Sequence, residues 1–162
     1  LISLTLFISG CGFQPLYQHD AASHSILKEL SLIRIAPIDD RIGQQLRNFL
    51  QDDITPRGKP TNPSYELIVK MNKTRRDLVL LQDATSTFAK VRLHAAYTLT
   101  NFNTGATLTS GNVTAKTGFT IAQSEYANIR AETEAASRAS REISYDITRQ
   151  LALFLKKTTS NN

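Results

Sequence analysis

From Leu30 onward the chain switches between two hydrophobic periods. LSLIRIAPI, residues 30–38, is isoleucine-rich and loosely alternating, and reads as a strand closed by Pro37. In DDRIGQQLRNFLQDDI, Ile42, Leu46, Phe49 and Leu50 fall on one stripe of an amphipathic helix, with Asp39 or Asp40 as its N-cap. Pro56, Gly58 and Pro60 end it in the loop TPRGKPTNPS. Period two then takes over. Tyr65, Leu67, Val69 and Met71 share one side of YELIVKM, opposite Glu66 and Lys70. In FAKVRLHAAYTL, Val91, Leu93, Ala95, Tyr97 and Leu99 lie opposite Lys90, Arg92 and His94. One dry side and one wet side are the pattern of an antiparallel sheet.

Turn chemistry joins these runs. RDLVLLQDATST extends the first long strand and turns near residues 83–86. NFNTGA, with Gly105 free to take positive φ, predicts a hairpin onto TLTSGNVTAKTGF, where Gly111 suggests a bulge. After Ser124 the period lengthens. Ala135, Ala136, Ala139, Ile143, Ile147, Leu151 and Phe154 form the stripe of a long helix ending in Lys156 and Lys157. The predicted order is β-α-β-β-β-α. It implies an α+β two-layer sandwich, a four-stranded, mostly antiparallel sheet with two helices packed on one face. The single domain spans 30–157, between an extended polar tether over 11–29 and a flexible tail over 158–162.

Composition adds direction. With 41% hydrophobic and 20% charged residues the chain is ordinary for a globular domain. Its net charge of +5 is concentrated in residues 54–124, where nine basic residues face three acids. Such a field favours an anionic partner and is equally consistent with a merely solvated face. Lys90 and Arg92 point the same way, and Lys73, Arg75 and Arg76 cluster on the neighbouring strand, an arrangement suited to phosphate groups. Nucleic acid would call for interleaved exposed aromatics or a recognition helix, and neither is evident.

Catalytic constellations are missing. There is no GxSxG elbow, glycine-rich phosphate loop or HExxH, and His19, His24 and His94 lack metal-ligand spacing. The acidic pairs at 39–40 and 52–53 border the first helix, with capping the reading for the former, and His94 reads as a surface residue. Neither an enzyme nor a cofactor is expected.

One cysteine remains, Cys11, after an apolar run of ten residues too short to span a bilayer. That run fits the end of a signal peptide whose basic start is missing. A core thiol, half a disulfide, a nucleophile and a lipid-attachment point are its possible roles. The position before a tether disfavours the first, the lack of a partner the second and the lack of a base the third.

LFISGC, residues 6–11, resembles the lipobox of bacterial lipoproteins, with Ile8 in place of the usual leucine. CGFQPLY, residues 11–17, is similar to the mature start of the LPS-assembly lipoprotein family (LptE), particularly its alphaproteobacterial branch. IRIAPIDDRIGQQLRNFL, VRLHAAYTLTNFNTG and SEYANIRAETEAASRAS resemble that family's first strand and helix, its hairpin and the opening of its last helix.

The resemblance implies a non-catalytic lipoprotein anchored by diacylglycerol and an N-acyl chain on Cys11, on the periplasmic side of the outer membrane. It also implies a large β-barrel partner that the protein plugs and helps assemble, and passage of lipopolysaccharide to the cell surface. Charge and strand geometry, not the resemblance, nominate Lys73, Arg75, Arg76, Lys90 and Arg92 as lipopolysaccharide-binding residues. The alternative is an auxiliary envelope lipoprotein of another lipid-transport system; a lipid-anchored hydrolase lacks a nucleophile.

Overall fold

The computed structural model describes residues 21–78 and 87–160. Its elements are α1 (Ala21–Ser31), β1 (Ile33–Ile35), α2 (Asp40–Ile54), β2 (Tyr65–Leu78), β3 (Thr87–Asn101), β4 (Thr107–Ile121) and α3 (Glu125–Ser160). From β1 onward this is the expected β-α-β-β-β-α order, an α+β fold with helices on one side of a four-stranded sheet. Cys11, the apolar run before it and the turn expected at 83–86 lie outside the described residues.

The ends differ from expectation. The stretch read as extended through residue 29 is helical from Ala21, and Leu30, read as the start of a strand, is the buried last-turn anchor of α1. This third helix packs against α3, and the Tyr65 hydroxyl donates to Glu29 Oε2 across 3.0 Å. Residues 158–160, assigned to a flexible tail, continue α3.

The strands lie in the order β1-β2-β3-β4. β1 runs parallel to β2, since α2 carries the chain back to the same end of the sheet; the two long hairpin pairs are antiparallel. Side chains alternate across the pleat, so Leu67 and Val69, Val91, Leu93 and Ala95, and Val113 and Ala115 all turn to one buried side. Leu46 and Leu50 of α2 and Ile143, Ile147 and Leu151 of α3 close the core over them. Ala135 and Ala139, both fully buried, bring α3 close to the sheet.

Two glycines have distinct physical tasks. Gly105 takes φ 69° in the β3–β4 turn, a conformation glycine enters without Cβ strain. Asn101 Oδ1 accepts the amides of Asn103 and Thr104 there, each at 3.0 Å. Gly111 does not form the expected bulge. The register shift falls between Leu99 and Thr100, opposite Leu108. Gly111 instead makes room for Tyr97, because a Cβ at 111 would stand 2.7 Å from that hydroxyl. The Tyr97 hydroxyl donates to Gln150 Oε1 of α3 at 2.6 Å.

Of the acidic residues around α2, Asp53 makes side-chain contacts that join helices. Asp39 occupies the N-cap position, though its side chain makes no capping bond, and Gln44 Nε2 reaches back to the Ile38 carbonyl at 2.7 Å. Asp53 Oδ2 accepts the Ser144 hydroxyl at 2.5 Å and so ties α2 to α3. Among the described residues no helix is long and apolar enough to cross a membrane, and no group of His, Cys, Asp and Glu is arranged to hold a metal.

Candidate anion-binding face

Among the described residues no helix packs on the second side of the sheet, and the even-numbered positions of β2, β3 and β4 face outward. Register decides which cations meet there. Arg76 lies directly across from Lys90, and Arg92 from both Thr74 and Lys116. Arg76, Lys90, Arg92, Lys116 and Thr74 line a shallow depression of about 180 Å³. All five are exposed, no carboxylate borders the depression, and none of its four cations is in an ion pair among the described residues.

This arrangement opposes folding. Like charges placed directly opposite on neighbouring strands destabilise a sheet, and here two such pairs stand side by side. A bound phosphate or carboxylate would relieve the repulsion, with Arg forks offering paired donors and Lys a point charge. His94, two residues from Arg92, is spent on a 3.0 Å contact between its Nδ1 and Thr114 Oγ1. Lys70 shares the face but sits opposite Ala96, two pleats from Arg92.

Of the five cations nominated from sequence, the structure gathers Arg76, Lys90 and Arg92. It turns Lys73 and Arg75 to the opposite, helix-covered side. There Lys73 Nζ lies 2.7 Å from Glu132 Oε1, and Arg75 Nη1 lies 2.8 Å from Glu132 Oε2. Arg75 Nε also donates to Asp77 Oδ1 at 2.8 Å, and its guanidinium stands 5.5 Å from the Phe119 ring centre. Hydrogen bonding from Lys73 and then Arg75 holds the Glu132 carboxyl below its ordinary value, against the opposing effect of burial. Bonds to Asp77 and Glu132 push the Arg75 guanidinium up. These two cations are already neutralised.

Lys116 is the member that sequence reasoning missed. Its signal was present in TSGNVTAKTGF, where Val113, Ala115 and Phe119 take the buried side and leave 116 outward.

Among solved structures, a protein described as a lipoprotein from Caulobacter crescentus CB15 superposes with a TM-score of 0.69 at 22% identity, covering 82% of this chain and 96% of that one. A minor lipoprotein from Acinetobacter baumannii gives 0.52 at 17%, covering 75% and 91%. A protein described as a neuraminyllactose-binding hemagglutinin homolog from Helicobacter pylori gives 0.54 at 13%, covering 80% and 89%. At such identities these likenesses establish the fold alone. No curated protein sequence matches. The family model for LptE, lipopolysaccharide-assembly, matches residues 27–151, from α1 through most of α3. The chain therefore belongs to the LptE lipopolysaccharide-assembly family.

Proposed function

We propose that the protein is an outer-membrane lipoprotein, anchored through Cys11, that partners and plugs a large β-barrel translocon, helps assemble it, and assists insertion of lipopolysaccharide into the outer leaflet. It acts by binding, without catalysis or a cofactor. The observation that carries the ligand assignment is the set of four cations on the outward face, none in an ion pair among the described residues. Lipid A phosphates match that charge, and the repulsion among Arg76, Lys90, Arg92 and Lys116 falls when an anion enters. Holding those phosphates would also compete with the cations that bridge packed lipopolysaccharide.

Two measurements test the reading. Lys90→Glu combined with Arg92→Glu should weaken lipopolysaccharide binding while the domain stays folded; unchanged binding would leave the face as solvation only. Affinity purification from envelope membranes should recover one large outer-membrane barrel. Recovery of inner-membrane transporter subunits alone would favour an auxiliary lipoprotein of another lipid-transport system. Mass spectrometry of the mature protein should find its first residue at Cys11 with attached acyl chains.

A further inference from the structure

Gly118 stands on the outward side of β4 beside the basic depression, and nothing in the fold asks for a glycine there. The other described glycines each have a structural task. Gly58 and Gly105 take positive φ, and a Cβ at Gly43 or Gly111 would stand 2.7 Å from an atom of Ile38 or Tyr97. Gly118 lies in regular strand without a positive φ, and a Cβ there would meet only the Ala89 carbonyl oxygen, at an ordinary 3.7 Å. A glycine inside a strand weakens it, because backbone freedom is lost and no side chain packs in return. The remaining reason for one is the close approach of a ligand.

Register shows what surrounds this gap. Across the three long strands, Arg76, Lys90 and Gly118 form one row, and Thr74, Arg92 and Lys116 form the next. The four cations run diagonally through this grid, and the two short residues hold opposite corners. Gly118 is across from Lys90 and two residues from Lys116, while Thr74 is across from Arg92 and two residues from Arg76. Each corner is a low point between two cations. One is floored by bare main chain and flanked by lysines; the other is floored by a hydroxyl and flanked by arginines. All six positions are exposed, and none of the cations is in an ion pair among the described residues. Strands about 4.8 Å apart and a rise of about 3.4 Å per residue put the two corners about 12 Å from each other.

A single phosphate fills only one of these corners. We infer that the face seats two phosphates of one ligand at once, one over Gly118 between Lys90 and Lys116 and one over Thr74 between Arg76 and Arg92. It therefore selects bisphosphorylated molecules whose phosphates stand about 12 Å apart. The lipopolysaccharide reading, on which this rests, supplies the natural source of such a ligand, a lipid headgroup; the spacing comes from the sheet alone. Lys90 and Lys116 act as mobile point charges over open main chain, and Arg76 and Arg92 offer paired N–H donors beside the Thr74 hydroxyl. Joining the phosphates makes the second contact intramolecular, and its effective concentration peaks when the linker matches the span.

The test titrates the full chain with straight-chain alkanediol bisphosphates of increasing length and with ethyl phosphate, followed by amide NMR. Hexanediol or octanediol bisphosphate should move the Gly118 and Thr74 amide signals together. It should bind at least about fivefold more tightly than ethyl phosphate, with the butanediol and dodecanediol forms weaker. Gly118→Val should bring the best bisphosphate down to the affinity of ethyl phosphate and leave the melting temperature equal or higher, a pairing that a merely structural glycine does not give. Lys90→Gln, at an exposed position, should lose the same advantage and keeps the test decisive if the valine variant misfolds. Lipopolysaccharide binding is measured as a separate arm. Equal affinity for bisphosphate and ethyl phosphate, indifference to spacer length, or parent-like binding by Gly118→Val would each overturn the paired seats. A spacer optimum without lipopolysaccharide binding would support the paired seats and overturn the lipid reading instead.

Discussion

Residues 73–76 and 90–92 supply two basic clusters with the same side chains and opposite fates. Lys73 and Arg75 share the carboxylate of Glu132 under the first turns of α3, while Arg76, one residue on, stands across from Lys90 with no ion pair among the described residues. What separates them is the side of the pleat. An odd position meets a helix that can bring an acid; an even position meets only solvent and its cross-strand neighbours. A cation's task in this sheet is set by parity before it is set by chemistry.

The largest break in that comparison should come from charge reversal on the open face. Lys90→Glu with Arg92→Glu removes two attractive charges and adds two repulsive ones, at about 1 kcal/mol each near an anionic lipid surface. Binding of lipopolysaccharide in the low-salt limit should fall at least about thirtyfold, which a titration would read. Lys73→Glu with Arg75→Glu should leave that binding within about twofold and lower the melting temperature instead.

Next in size is a change confined to the buried side. Gly111→Val would drive a side chain into Tyr97, and overpacking of this kind costs about 1–3 kcal/mol. Chemical denaturation should register that loss without any change in lipid binding.

Smaller again is the helix-side pair. Glu132→Gln should cost about 0.5–1 kcal/mol, since Lys73 and Arg75 keep much of their solvent contact. Its sign with pH is fixed. The folded protein holds this carboxyl below its ordinary value of 4.5, so its contribution is full above that value and is lost as pH falls through the lower folded value. Stability measured across that acid range should fall less steeply in Glu132→Gln than in the parent.

The smallest effect is the most diagnostic. Lys90→Glu alone turns a like-charge cross-strand pair into an attractive one with Arg76, and should stabilise the fold by about 0.2–1 kcal/mol while weakening lipid binding. A cation retained only for solvation gives no reason for such a trade. Equal stability and equal binding in this variant would erase the distinction between the clusters.

Much of this was legible in the chain. Tyr65, Leu67, Val69 and Met71 fix the parity of β2, and counting on by twos puts 73 and 75 on the buried side, where they are found. Proximity in sequence groups Lys73, Arg75 and Arg76, and the pleat sends the first two to one side and the third to the other. α1 was not legible, because AASHSILKELS is short and mixes serine and histidine into its turns. Its helicity comes with packing on α3 and with burial of Ile26 and Leu30 against the core, a tertiary effect. Gly111 misled for a similar reason: a glycine in a strand signals either a bulge or a close approach, and only the facing Tyr97 separates them. A cleft of about 520 Å³ along β1 is assembled from segments at 33–37, 47–63 and 102, which no local pattern joins.

The far edge of the sheet carries a cost of its own. β4 is fifteen residues long, has no strand on its outer side among the described residues, and contains neither a proline nor any charge except Lys116. An unpaired edge of that length is a template for stacking one copy on another. Its threonines, serine and asparagine hydrate it without repelling a neighbour, so Lys116 is the lone gatekeeper against edge-to-edge aggregation. Newly made chains therefore gain from early shelter, and Lys116→Thr should show itself first as turbidity in concentrated protein.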